Sequence, residues 1–220
     1  MLQHVFEQAG RARYLTQLLI ATDDARIFDE ARRFGAPVRM TRADHRSGTD
    51  RAAEVASTVD ADLVVNIQGD EPMIDPDSID AAILGLLDNP EIPMGTLMKR
   101  IEDAREISDP NVVKVVTDKF HNAIYFSRSP IPYVRDGATP MPVPMYKHIG
   151  LYVYRREFLL QYSELPAGPL EQAERLEQLR ALENGHPIRV VETAYESLGV
   201  DTPEDLERVS KLFEAFILDK

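Results

Sequence analysis

Leu63-Val64-Val65-Asn66-Ile67-Gln68-Gly69-Asp70-Glu71-Pro72 is the stretch from which the rest of the chain is read. A run of β-forming residues, Leu63 to Ile67, stops at Gly69, and two acids and a proline follow. In an open α/β sheet, ligands bind just beyond the carboxyl ends of the strands. Asp70 therefore stands where a carboxylate can hold a hard cation against a phosphate, or where it can simply cap the next helix. Gln68, still in the strand register, favours the first reading. A polar amide at the mouth of an apolar strand usually has a partner to recognise.

Outward from this point, strands and helices alternate. Residues 2–13 carry Leu2, Val5, Phe6 and Ala9 at helical spacing. Leu18 to Thr22 reads as a buried strand, Ala25 to Phe34 as a helix stopped by Gly35, and Val38 to Thr41 as a short strand. Asp50 to Val59 is a helix, residues 62–68 a strand, and Pro76 to Leu87 a helix with proline in its first turn. This order predicts an α/β fold, a mostly parallel sheet sandwiched by helices. Strands are expected beyond it at Met94–Ile101, Val112–Thr117, Ala123–Ser127, His148–Tyr154 and Ile188–Thr193, and helices at 171–184 and 203–216. Residues 129–145 contain Pro130, Pro132, Pro140, Pro142 and Pro144, too much proline for a strand inside a sheet. They predict a long exposed arm.

At 220 residues the chain is long enough for one large domain with a small lobe, and buries a substantial core without staples. It has no cysteine, which excludes disulfides, thiolate metal sites and cysteine nucleophiles. A net charge of −12 argues against a nucleic-acid partner or an anionic membrane surface, although local Arg and Lys can still hold an anionic small substrate. No apolar run reaches membrane-spanning length, and Met1-Leu2-Gln3-His4-Val5-Phe6 does not read as a signal peptide. The expectation is a soluble, cytoplasmic protein.

Several polar motifs punctuate this frame. In Gly199-Val200-Asp201-Thr202-Pro203-Glu204-Asp205, Thr202 suits the N-cap and Pro203 the first helical position. Asp201 is not needed for capping and can join Asp70 in an oxygen-only site, since Mg²⁺ is typically held by one or two carboxylates plus substrate phosphates. Ser47, Gly48 and Thr49 offer hydroxyls and close backbone to a base or ribose, but alone they read better as an ordinary N-cap. His148 beside Gly150, Arg128 at a strand end, and Glu177 with Gln178 in a helical segment each read, taken singly, as structural. Glu177 and Arg180 would then be a surface pair at i,i+3.

As an ordered set these motifs are specific. Asp44-His45-x-Ser47-Gly48-Thr49, Asn66-x-Gln68-Gly69-Asp70-Glu71-Pro72, Val113-Lys114-Val115-Val116, Tyr125-Phe126-Ser127-Arg128, His148-x-Gly150, Leu176-Glu177-Gln178-Leu179-Arg180 and Gly199-Val200-Asp201-Thr202-Pro203 resemble the CMP-Kdo synthetases, the 3-deoxy-manno-octulosonate cytidylyltransferases. The resemblance spans essentially the whole chain. It implies a Rossmann-like nucleotidyltransferase fold in one domain: residues 1–100 form a nucleotide-binding half, 101–200 a sugar-binding and dimerisation half, and 201–220 a closing helix. It also implies that CTP and Kdo become CMP-Kdo and pyrophosphate for lipopolysaccharide biosynthesis, in a homodimer. By the same resemblance, Asp70 and Asp201 hold Mg²⁺, Ser47, Gly48, Arg51 and Gln68 face the nucleotide, and Arg128, His148, Glu177 and Gln178 face the sugar acid. Cytidylyltransferases for another acidic sugar, such as a sialic acid or an amino-Kdo, and a non-catalytic member remain as alternatives. The family opens with a strand and a Gly/Arg/Lys loop that wraps the CTP triphosphate, whereas this sequence begins at the helix that follows. The expectation is that these 220 residues alone are poorly stable and inactive.

Overall fold

The computed structural model describes residues 1–135, 143–196, 198–200 and 202–218. In chain order the elements are α1 (Leu2–Ala9), β1 (Ile20–Thr22), α2 (Ala25–Arg33), β2 (Val38–Met40), α3 (Gly48–Ala56), β3 (Leu63–Asn66), α4 (Pro76–Leu87), β4 (Met94–Arg100), α5 (Ala104–Ser108), β5 (Lys114–Thr117), β6 (Ala123–Ser127), β7 (Tyr146–Arg155), α6 (Arg156–Tyr162), α7 (Pro169–Glu174), α8 (Leu179–Glu183), β8 (Ile188–Glu192) and α9 (Pro203–Leu218).

β7 organises the main sheet. Along one edge β4 pairs with it antiparallel, from Met94 opposite Tyr154 to Arg100 opposite Tyr146. Along the other edge β3 pairs with its second half and β5 with its start, both antiparallel. β8 lies parallel to β4, and β6 antiparallel to β5. β3, β4, β5 and β8 therefore run one way, while β6 and β7 run against them. The helix-sandwiched sheet expected from the sequence is present and most of its strands share a direction. The insertion of β7 nevertheless makes most of the hydrogen-bonded pairs antiparallel. β1 and β2 form a separate parallel pair.

Helices cover both faces. On one side α1 and α4 bring Val5, Ala9, Ile79, Ala82, Ile83 and Leu86 against Leu97, Ile149, Leu151 and Val153 of the sheet. The spacing of the α4 residues is the helical three-and-four pattern, Asp75 accepts from Ser78 N–H at 3.0 Å, and Pro76 occupies the first turn. On the other side α3, α6 and α8 bring Ala53, Ala56, Phe158, Leu159, Tyr162 and Leu179 against Met98, Val115, Phe126 and Val190. Period two in β7 separates the layers: Ile149, Leu151 and Val153 enter the first core, while His148, Gly150 and Tyr152 point the opposite way.

The segment expected as one helix over 171–184 is broken. α7 ends at Arg175, which takes a left-handed conformation (φ 53°, ψ 49°), and α8 begins only at Leu179. Glu177 and Gln178 thus lie in the break rather than on a helix face, and Arg180 pairs with Glu171 at 2.6 Å rather than forming the expected ion pair with Glu177. α5 and α6 were not anticipated. α5 is only five residues long, and α6 follows β7 without any Gly or Pro to announce the change of period. In the proline-rich arm, residues 136–142 lie outside those described.

Candidate active site

Two cavities meet just beyond the carboxyl end of β3. The first is a groove of about 380 Å³ between β1 and β3, lined by Leu18, Ile20, Leu63 and Val65 together with Gly48, Arg51, Asn66 and Gln68. Among the described residues no backbone hydrogen bond joins β1 to β3. The second, of about 610 Å³, is lined by Gln68, Asn111, Lys147, His148, Tyr152, Arg175, Glu177, Gln178, Gly199 and Arg208, among others. Gln68 belongs to both, so the strand mouth singled out in the sequence is where the cavities meet.

The polar cavity is held by a chain of hydrogen bonds. The Thr96 hydroxyl lies 2.8 Å from the Leu151 carbonyl and 2.8 Å from His148 Nε2. A hydroxyl has one proton, and the carbonyl can only accept it, so Nε2 carries the imidazole proton and Nδ1 is left as an acceptor. Burial favours the same neutral ring, holding the His148 pKa down to about 3. The Tyr152 hydroxyl donates to Gln178 Oε1 at 3.1 Å. Gln178 is 3% exposed, and its Nε2 has no partner, nor has Glu177 Oε1. Buried polar atoms without partners are rare. Here both belong to residues that line a cavity, as a ligand site requires.

Burial raises the pKa of Glu177, opposed by hydrogen bonds from the Ser47 and Thr49 side chains. That contact joins the loop before α3 to the break before α8. Ser47 also caps α3, its oxygen accepting from Asp50 N–H at 3.1 Å. Its single proton faces Glu177, so only a lone pair remains for any ligand. Arg51 pairs with Asp23 at 3.1 Å and bonds the Thr41 hydroxyl, and Gly48 approaches the Asn66 amide at the groove.

Asp70 is half-buried, and its carbonyl accepts from Val200 N–H at 3.0 Å. This bond brings the segment before α9 against the strand mouth. Asp201 itself lies outside the described residues. Among those that are described, no three His, Asp or Glu side chains cluster as a metal centre.

Residues 1–193 match the family described as cytidylyltransferase. The 3-deoxy-manno-octulosonate cytidylyltransferase of Solibacter usitatus is 69% identical over 218 residues, covering 99% of this chain and 86% of that protein. The chain belongs to the 3-deoxy-manno-octulosonate cytidylyltransferase family. The Geobacter sulfurreducens member is 54% identical, covering 95% of this chain and 87% of its own. The solved CTP complex of CMP:2-keto-3-deoxy-manno-octonic acid synthetase superposes with a TM-score of 0.92 at 45% identity, over 97% of this chain and 87% of that one. A 4-diphosphocytidyl-2C-methyl-D-erythritol synthase from Anaerococcus prevotii, at 13% identity and a TM-score of 0.61, shares the fold.

Within this cytidylyltransferase the residues expected at the site divide. His148, Glu177, Gln178 and Gln68 line the polar cavity, and Gly48, Arg51 and Gln68 line the groove. Ser47 reaches the cavity only through Glu177. Arg128 is not among the lining residues: its guanidinium donates to the carbonyls of Pro110 at 2.9 Å and Glu174 at 2.8 Å, tying β6 to the 110 loop and α7. Sequence reasoning missed Thr96, Tyr152, Lys147 and Arg175. Tyr152 was within reach, because it shares the period-two face of His148 and Gly150. Lys147 lies between Glu106 at 2.6 Å and Glu196 at 2.5 Å. Burial works against its charge, but these two bonds outweigh it and raise the pKa.

Proposed function

We propose that this cytidylyltransferase joins CTP to the sugar acid Kdo, releasing pyrophosphate and forming CMP-Kdo for lipopolysaccharide assembly. The observation that carries the reading is the polar cavity beyond the sheet, where Gln178 Nε2 and Glu177 Oε1 are buried without partners beside a neutral His148. A polyhydroxylated acid supplies both donors and acceptors to such a wall. In the reaction a sugar hydroxyl attacks the α-phosphorus of CTP, the bond to the β-phosphate oxygen breaks, and the hydroxyl proton is lost. Positioning and charge neutralisation do most of the work in such transfers. His148 Nδ1, Gln178 and Glu177 would orient the sugar, while Gly48, Arg51 and Gln68 would face the nucleotide from the groove, with the Ser47 oxygen as a further acceptor. Residues 1–100 are then the nucleotide half and 101–200 the sugar half, closed by 201–220.

Mg²⁺ fits the donor set. Asp70 and Asp201 are hard oxygen donors, and Asp201 follows the residue whose N–H bonds the Asp70 carbonyl. One or two carboxylates with substrate phosphates suffice for this ion. Bound there, it would neutralise phosphate charge and lower the pKa of the attacking hydroxyl. The chain is also proposed to act in the cytoplasm and as a homodimer through its arm. Tyr133 on that arm, 87% exposed, supports the dimer, and sedimentation as a monomer at micromolar concentration would refute it. No helix among the described residues is long and apolar enough to cross a membrane.

The test is direct. The chain expressed with the N-terminal strand and Gly/Arg/Lys loop of its relatives, and incubated with CTP, Kdo and Mg²⁺, should release pyrophosphate in step with CMP-Kdo, and chelation should stop it. Product from a sialic acid or an amino-Kdo in preference to Kdo would assign a different acidic sugar.

A further inference from the structure

The polar cavity has an uneven set of cations. Lys147 is held between Glu106 and Glu196, and Arg128 is tied to two carbonyls away from the wall. Arg175 lines the cavity, is exposed, and among the described residues its side chain has no ion pair or hydrogen bond. It is the residue immediately before Leu176-Glu177-Gln178, whose two polar members carry the unpartnered atoms. Arg208 also lines the cavity, from α9, and is far in sequence from the two residues that carry the unpartnered atoms.

The backbone of Arg175 adds an independent observation. Its φ of 53° is a left-handed conformation that glycine adopts at no cost and other residues rarely adopt. Glycine would close α7 equally well, since the cap needs only the N–H that donates to the Glu171 carbonyl. A strained arginine at a cavity wall points to use of its side chain.

We propose that Arg175 binds the carboxylate of the sugar-acid substrate and sets the preference for acidic over neutral sugars. The proposal rests on the sugar-acid reading of the cavity. A guanidinium meets a carboxylate with two parallel N–H bonds, whereas a neutral hydroxymethyl group offers no charge to match. Gln178 Nε2 would then serve the hydroxyls, and Arg175 the acid.

The test is calorimetric binding of Kdo, and of its analogue with the carboxyl reduced to an alcohol, to the chain and to Arg175→Gln, Arg175→Lys and Arg175→Gly. Arg175→Gln should bind Kdo roughly 10- to 100-fold more weakly, the range of a charge-assisted contact, and bind the reduced analogue as the unsubstituted chain does. Arg175→Lys should keep part of the affinity. Arg175→Gly should hold or raise the melting temperature while losing Kdo, which separates ligand contact from folding. Equal loss for both ligands, or no loss for Kdo, overturns the proposal. Failure of the unsubstituted chain to bind Kdo at all removes the sugar-acid reading itself, and the proposal with it.

Discussion

The groove and the polar cavity meet at Gln68 and are built on opposite plans. The groove is walled by two strands that do not bond to each other and by apolar side chains, with Gly48 and Asn66 at its mouth. The polar cavity is walled by side chains already fixed by partners: Thr96 to His148, Tyr152 to Gln178, Ser47 and Thr49 to Glu177. Such fixed donors and acceptors cost little reorganisation when a ligand arrives. One side of the site is preorganised for a small polar molecule, and the other offers backbone, glycine and one cation to something larger. Every substitution that separates the two sides tests this contrast.

The largest effect is expected where they meet. Asp70→Asn preserves shape, and its carbonyl can still accept from Val200 N–H, so the melting temperature should barely move. Turnover should fall by on the order of a thousandfold, reflecting the several kcal/mol that a bound cation contributes to charge stabilisation. Asp201→Asn should match it. Equal losses of turnover and stability would make these carboxylates structural and leave the junction without its chemistry.

Next comes a split between substrates. Gln178→Ala should raise the KM for Kdo by roughly tenfold or more, because a buried amide that serves the ligand and receives Tyr152 is lost, and leave the KM for CTP almost unchanged. Gln68→Ala should raise both, since Gln68 lines both cavities. If Gln178→Ala damages only CTP, the polar cavity belongs to the nucleotide and the contrast is reversed.

A smaller effect follows from acid. The His148 pKa is held near 3, below the ordinary 6.5, by burial. Between these values the unfolded chain binds a proton that the folded chain does not, so the contribution of His148 is complete above about 6.5 and is lost as pH falls toward 3. His148→Gln cannot take up that proton. Its melting temperature should therefore drop less than that of the parent between about pH 7 and pH 4. Parallel curves would show that the cavity is wet enough for the ring to titrate normally.

The two sides also differ in how far the sequence reveals them. The strand mouth from Asn66 to Asp70, the α4 boundaries and the capped start of α9 are local, written in β-forming runs, proline and capping residues. The polar cavity depends on contacts between distant segments. Nothing near Thr96 announces that its hydroxyl fixes the tautomer of His148, and a helical apolar arc through Ala173, Leu176 and Leu179 hides the left-handed turn at Arg175. Arg128 reads as a cation at a strand end, where only the fold reveals the two carbonyls that occupy it. β7 deceives for a related reason: strand periodicity gives its existence and its faces, whereas its direction is set by which edges of β3, β4 and β5 it fills.

Ser47 tests the seam between the sides with the smallest change. Its oxygen caps α3 and its proton faces Glu177, so the residue has a local role and a long-range one. Removing an N-cap serine costs about 1 kcal/mol in alanine and only a few tenths in glycine, because glycine leaves the N-terminal groups open to water. Ser47→Ala should therefore destabilise the fold by about 1 kcal/mol and Ser47→Gly by much less. Both lose the bond to Glu177, whose remaining partner is Thr49. If capping is all that matters, activity should follow stability, with Ser47→Gly close to the parent. If the hydroxyl holds Glu177 in place for the sugar, both variants should raise the KM for Kdo equally, despite their different melting temperatures. An equal rise in the KM for CTP instead would assign the remaining lone pair to the nucleotide and make the seam part of the groove.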